Sequence, residues 1–314
     1  MKELEKKLQL AREISWGNFG KNITFYLPGM FSYNGLRGAY PAISITGAHC
    51  QLMCDHCQAK ILEPMPATMS PECLVNTCKR FAEKGCLGVL ISGGCDAQGR
   101  LPWMDFIQAI KEVKQQTGLY VSIHCGLLDK DTALALKEAG VDQALLDVIG
   151  DDETYKVVYH VDFGISRILS TMEALNQAAL PIVPHVVCGL YRGKMKGEAK
   201  AVEMISHFDV EQLVIVSLMA IRGTPFEGVN APGAKEVAEL IADARMLMPQ
   251  VRMSLGCARK RGDEDLELLA IDAGINRMAL PSEAAIERAR SYGLEIRYQC
   301  TCCSVSADFS KETW

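Results

Sequence analysis

After residue 40 the chain alternates short β-branched runs with longer amphipathic stretches, and it does so eight times. The runs are Ala42–Thr46, Gly88–Ser92, Tyr120–His124, Gln143–Val148, Ile182–Cys188, Gln212–Leu218, Val251–Leu255 and Arg277–Leu280. They are nearly continuous apolar segments, the pattern of parallel strands covered on both faces. The stretches between them predict helices near 70–84, 103–117, 130–139, 165–178, 197–207, 233–247, 264–273 and 282–292. Ser70, Asp263 and Ser282 stand where N-caps belong, and Gly85, Gly118, Gly140, Gly274 and Gly293 close helices. Strand–helix units in such a series predict an α/β fold, a closed (β/α)8 TIM-type barrel, with a doubly wound open sheet as the alternative. The expected organisation is an N-terminal helical extension over 1–40, the barrel over 41–293, and a short cysteine-bearing C-terminal tail over 294–314.

Composition narrows the class of function. With 49% apolar and 23% charged residues, the chain reads as globular rather than disordered. A net charge of −5 argues against a nucleic-acid partner, which calls for a clustered basic surface. The longest apolar run, Leu213 to Ile221, falls well short of the ~20 residues a membrane helix needs. Met1 to Trp16 alternates Lys and Glu with Leu, so it predicts an amphipathic helix and not a signal peptide; a cytoplasmic location is expected. Thirteen cysteines are many for a reducing compartment. Cys73, Cys78 and Cys86 fit small core residues on a helix. The others gather where chemistry would sit.

Three of them occupy Cys50-Gln51-Leu52-Met53-Cys54-Asp55-His56-Cys57, directly after the first predicted strand. Three thiolates on one tight loop can bind three irons of a cubane [4Fe–4S] cluster and leave the fourth iron without a protein ligand. The alternative is a structural zinc, with His49 or His56 completing the set. In a barrel the βα loops form one rim at the C-terminal ends of the strands. The other predicted strand ends carry Ser92-Gly93-Gly94-Cys95, His124-Cys125, Asp147 to Gly150, His185 with Cys188, and Gly256-Cys257-Ala258-Arg259.

The C-x3-C-x2-C spacing after a first strand resembles the radical S-adenosylmethionine (radical SAM) superfamily. That resemblance implies one [4Fe–4S] cluster on Cys50, Cys54 and Cys57, with SAM at its open iron. It implies that Ser92, Gly93 and Gly94 hold the methionine moiety, although Cys95 stands where the family usually has Glu. It puts His56 against adenine; Ser122, inside the third predicted strand, could face the cofactor or serve as a core hydroxyl. Ile91 to Asp96, Gly150 to Thr154 and Leu255 to Arg259 resemble a biotin-synthase-like group, in the neighbourhood of the two-component, archaeal-type lipoyl synthases. Asp147 and Arg259 are then expected to contact SAM or substrate.

The tail segment Cys300-Thr301-Cys302-Cys303 could fold back onto the rim. With Cys257 it forms the first choice for a second iron–sulfur cluster; Cys95, Cys125 and Cys188 with Cys257 form the rival geometry. The implied activity is reductive cleavage of SAM and sulfur insertion at an unactivated C–H, as in lipoyl synthesis on an octanoyl carrier protein or lipoyl domain. The implied partners are a ferredoxin or flavodoxin and a second radical SAM protein. Met172, Met195, Met219 and Met253 are candidate lining for an acyl channel, and Arg192, Lys194 and Lys196 for docking an acidic carrier. His160 and His185 near the rim could shuttle protons or orient substrate. A radical SAM enzyme without sulfur insertion, a non-catalytic iron–sulfur or zinc scaffold, and a barrel lyase using Asp147 and His124 are the competing readings.

Overall fold

A computed structural model describes residues 2–33 and 35–313. The chain opens with α1 (Lys2–Phe19), β1 (Asn22–Tyr26) and a small hairpin, β2 (Ser32–Tyr33) with β3 (Leu36–Arg37). The strands that follow are β4 (Ala42–Ser44), β5 (Gly88–Ser92), β6 (Tyr120–His124), β7 (Gln143–Asp147) and β8 (Ile182–Cys188). They continue as β9 (Gln212–Ser217), β10 (Arg252–Leu255), β11 (Arg277–Ala279) and β12 (Glu295–Gln299). All eight predicted strands are present, some a residue or two shorter at an end.

Helices fill the gaps as their periodicity predicts. Ser70 caps the helix Pro71–Glu83 by accepting from the Cys73 amide at 3.2 Å. Asp263 and Ser282 cap Glu264–Asp272 and Glu283–Ser291 in the same way. None of the helices among the described residues is long and apolar enough to cross a membrane.

The ten main strands form one parallel sheet in the order β12-β1-β11-β10-β9-β8-β7-β6-β5-β4, curled into a TIM-like half-barrel. The α/β barrel-type expectation holds, with two corrections. The ladder has ten strands rather than eight, and among the described residues its edges β4 and β12 do not pair, although an Ala39 N to Cys300 O bond of 2.7 Å reaches from one flank to the other. The additional strands come from segments read as a helical extension and a tail. β1 is a five-residue run behind a long helix, and β12 alternates charged and apolar residues because one of its faces is exposed.

Beyond β12 the chain turns inward. Gln143, Gln212 and Arg277, the buried first residues of β7, β9 and β11, grip its backbone. Gln143 Nε2 donates to Ser304 O at 2.8 Å, Gln212 Nε2 to Cys303 O at 3.2 Å, and Arg277 Nη1 to Val305 O at 3.0 Å. Buried amides and guanidinium need such partners, and the tail's carbonyls need donors. The tail therefore runs through the interior instead of lying on the rim.

Candidate active site

The loop after β4 is held by backbone contacts that set its cysteines. Gln51 N donates to Cys95 O at 2.7 Å, Asp55 N to Val158 O at 2.9 Å, and Cys57 N to Cys54 O at 3.1 Å. Thr46 Oγ1 accepts from Gly94 N at 2.7 Å and donates to His49 O at 3.0 Å. Met53, Gln58 and Ala59 take left-handed φ values of 43°, 43° and 60°, the conformations that wind the loop so tightly. Gly94 explains part of the glycine pair. A Cβ there would lie 1.9 Å from His49 O and 2.5 Å from Cys50 Cβ, so the loop can rest on this strand end only if the residue has no side chain.

The donor set fits a cluster. Cys54 and Cys57 are buried and Cys50 is partly exposed. Burial pushes Cys57 up to about 11 and Cys54 higher still, with the neighbouring thiols adding to it. Protons are released when such thiols bind iron as thiolates. Zinc would crowd its ligand atoms round one ion. Among the described residues, the group of three ligand atoms within 4.8 Å of one another is His124, Asp147 and His185, not this loop. The three loop thiols do not all come that close to one another. His56 lies with its ring 5.3 Å from that of Tyr159, and its buried Nδ1 lacks a hydrogen-bond partner.

Two cavities meet at the loop, sharing His124 and Asp147 as a wall. One is lined by Leu52, Gly93, Cys95 and the aromatic rings of Tyr155, Tyr159 and Phe163. The other, of about 240 Å³, runs from His56 and Cys57 past Leu90, Leu145, Val187, Val216, Leu218 and Met219 to Cys257, Cys302 and Cys303. A largely apolar cavity is thus lined both by Cys57 of the first loop and by Cys257, Cys302 and Cys303.

His124, Asp147 and His185 end β6, β7 and lie in β8, neighbours in the sheet. The two imidazole rings stand 5.7 Å apart. His185 Nδ1 lies 3.1 Å from Val183 O, which leaves Nε2 for the cavity. Burial, with His124 beside it, pushes His185 down to about 4, so it stays neutral. This group could hold a cation or the polar part of a bound molecule. Sequence order hid it as a trio, because only the sheet register brings the three strand ends together.

At the far end, Cys303 contacts both other thiols. That contact lowers Cys257 and, most strongly, Cys302, to about 7, while Cys303 itself is pushed up. Cys300 is partly exposed and is not among the residues lining this cavity, so three of the four first-choice cysteines come together there. The rival set is not assembled. Cys95 lies near Cys50, Cys125 is buried with its Sγ 3.2 Å from Gly126 O, and Cys188 is in the core beside Glu198.

Several further expectations change. Arg259 does not face the mouth. It is buried, with Nη2 2.6 Å from Glu267 and hydrogen bonds to the carbonyls of Gly256 and Ala279 at 2.7 Å, so it braces the Cys257 loop. Ser122 is fully buried with its Oγ 2.7 Å from the Tyr40 hydroxyl, a packing role. Ser92 is buried and supplies its carbonyl to Ile45 N at 2.9 Å. Of the four methionines only Met219 lines the channel; Met172 and Met253 are in the core. Lys196 is paired with Glu153 and Asp151, and His160 with Asp55 at 2.7 Å, which leaves Arg192 and Lys194 of the basic loop. The aromatic wall was missed. Its signal was Tyr155 and Tyr159 one turn apart after β7, on a π-helical turn of the kind common at functional sites.

Residues 44–196 match the family described as the radical SAM superfamily, and residues 215–308 the biotin and thiamin synthesis associated domain. The chain is 26% identical over 244 residues to biotin synthase of Prochlorococcus marinus (strain MED4), covering 74% of this chain and 71% of that protein. Biotin synthase of Aromatoleum aromaticum is 27% identical over 196 residues, 62% of this chain and 58% of that one. Among solved structures, methylornithine synthase (PylB) superposes with a TM-score of 0.65 at 19% identity, over 93% of this chain and 89% of that chain. HydG, a maturase of the [FeFe]-hydrogenase, gives 0.68 at 16% identity, over 93% and 68%. These two likenesses concern the fold.

Proposed function

The chain belongs to the biotin-synthase-like group of the radical SAM superfamily, and on that premise we propose that it inserts sulfur at an unactivated C–H of an aliphatic acyl chain. The substrate in this reading is the octanoyl precursor of the lipoyl cofactor on its carrier protein. The observation that carries it is one apolar cavity lined both by Cys57 and by Cys257, Cys302 and Cys303. When bound, a cluster on Cys50, Cys54 and Cys57 supplies the electron that splits SAM into methionine and a carbon radical, and a second on the distal thiols supplies sulfur.

The chain's own residues do the rest. Leu90, Leu145, Val187, Val216 and Leu218 bind a methylene chain by excluding water from it. His124, Asp147 and neutral His185 hold polar groups where the two cavities meet, so that nucleoside and acyl chain lie on opposite sides of one wall. Gly94 and Thr46 fix the loop so that its thiols keep their spacing. A ferredoxin or flavodoxin delivers the electron on this reading. The acidic carrier docks at Arg192 and Lys194, and a second radical SAM protein shares the two sulfur additions. The test is mass spectrometry of an octanoylated carrier peptide after anaerobic turnover. Added sulfur is expected; no mass gain while 5′-deoxyadenosine still forms would reject sulfur insertion into this substrate and leave the family assignment standing.

A further inference from the structure

Cys257, Cys302 and Cys303 converge on the channel from two chain segments, β10's loop and the inward-turned tail. Among the described residues, the other cysteine lining this cavity is Cys57, which belongs to the first loop. The Cys300 carbonyl accepts from Ala39 N across the sheet edges, and Cys300 is not among the residues that line the channel. Behind the trio lie Tyr26, Tyr40 and Ser304. The Tyr40 hydroxyl is already 2.7 Å from Ser122 Oγ, and Tyr26 packs against Cys303 as part of a buried apolar cluster. The Ser304 hydroxyl sits 3.0 Å from Cys302 Sγ, against a single thiol. In front, Val216, Ala258 and Leu145 line the channel with hydrocarbon. Arg261 Nη2 donates to Cys257 O at 2.8 Å, which sets one positive charge beside the loop carrying that thiol, while Arg259, paired with Glu267, braces the same loop.

We propose that the second cluster is a [4Fe–4S] centre held by these three thiols alone, and that its fourth iron faces the channel and takes a soft anionic ligand, a thiolate or hydrosulfide. The proposal rests on the reading that a second cluster forms. Sulfur donors suit such an iron, and an apolar channel favours a ligand that neutralises charge on binding. The chain then carries two clusters of the same plan, each with one coordination position turned toward the shared interior. The distal one would admit external sulfur to the acyl chain's end of the channel without a protein group having to leave first.

The test uses the full chain carrying Cys50→Ala, Cys54→Ala and Cys57→Ala, reconstituted anaerobically, reduced, and probed with 13C-cyanide by electron paramagnetic and double resonance. About four irons per chain and a 13C coupling are expected, unchanged when Cys300→Ala or Ser304→Ala is added. Four irons with no coupling overturn the open position. A coupling that appears only after Ser304→Ala or His185→Gln also overturns it, because a protein group then held that iron. Absence of iron in the triple variant rejects the second cluster itself. As a check independent of that variant's folding, wild-type protein saturated with SAM should still show one cyanide coupling; none would overturn the proposal.

Discussion

Replacing Gly94 by Ala tests the architecture of the first cluster with a single methyl group. The added Cβ would fall 1.9 Å from His49 O and 2.6 Å from Cys50 Cα, where ordinary contact begins at 3.4 Å. The loop backbone must therefore retreat by about 1.5 Å, moving Cys50 with it. Gly94 has an ordinary negative φ, so the penalty is steric rather than conformational. Overpacking of this kind costs about 1–3 kcal/mol. The retreat also strains the Gln51–Cys95 and Thr46–His49 bonds, worth about 1 kcal/mol each. A local cost of about 2–5 kcal/mol is enough to unseat the loop while the sheet, built elsewhere, survives. Anaerobically reconstituted Gly94→Ala should lose about four irons per chain and form no 5′-deoxyadenosine, with circular dichroism unchanged. Gly93→Ala meets only the side chains of Leu101 and Thr46, at 3.1 Å, and should retain most of its iron. Full iron and normal SAM cleavage in Gly94→Ala would refute the reasoning.

Other outcomes follow from the same contacts. Arg259→Met leaves Glu267 buried without its partner, so denaturant unfolding should show a loss of about 3–5 kcal/mol; a variant of wild-type stability that has lost only activity would restore Arg259 as a substrate contact. Cys303→Ala should remove about half the iron and Cys300→Ala none; equal losses would return Cys300 to the ligand set. Burial pushes Cys57 to about 11 and Cys95 to about 12, so in the cluster-free chain the folded state holds these protons more tightly than the unfolded one. Its thermal stability should be intact below the ordinary thiol value of 9.0 and fall as pH rises from there toward 11; stability that rises over that interval would contradict the burial of these thiols.

The legible and illegible parts of this chain differ for physical reasons. Strands β5, β6 and β8 stood out residue for residue, because a strand buried on both faces needs an unbroken apolar run. β12 did not, since Glu295 and Arg297 face solvent and mask the pattern. The cysteine loop was legible because its ligands are local in sequence. The distal trio was only half legible: Cys302 and Cys303 reach Cys257 through a tail whose path is set by Gln143, Gln212 and Arg277, residues that look like ordinary polar strand ends. Arg259 misled for the converse reason. A charge at a strand end suggests a mouth, yet Glu267, one helix later, had already claimed it.

The account depends most on an iron at the cysteine loop after β4 with one coordination position that no protein atom fills. Mixing dithionite-reduced, iron-replete protein with SAM under anaerobic conditions should change the cluster's paramagnetic spectrum and yield 5′-deoxyadenosine with methionine, and Cys54→Ala should abolish both. Iron-replete, reduced wild-type protein that leaves its spectrum unmoved and SAM intact would contradict it.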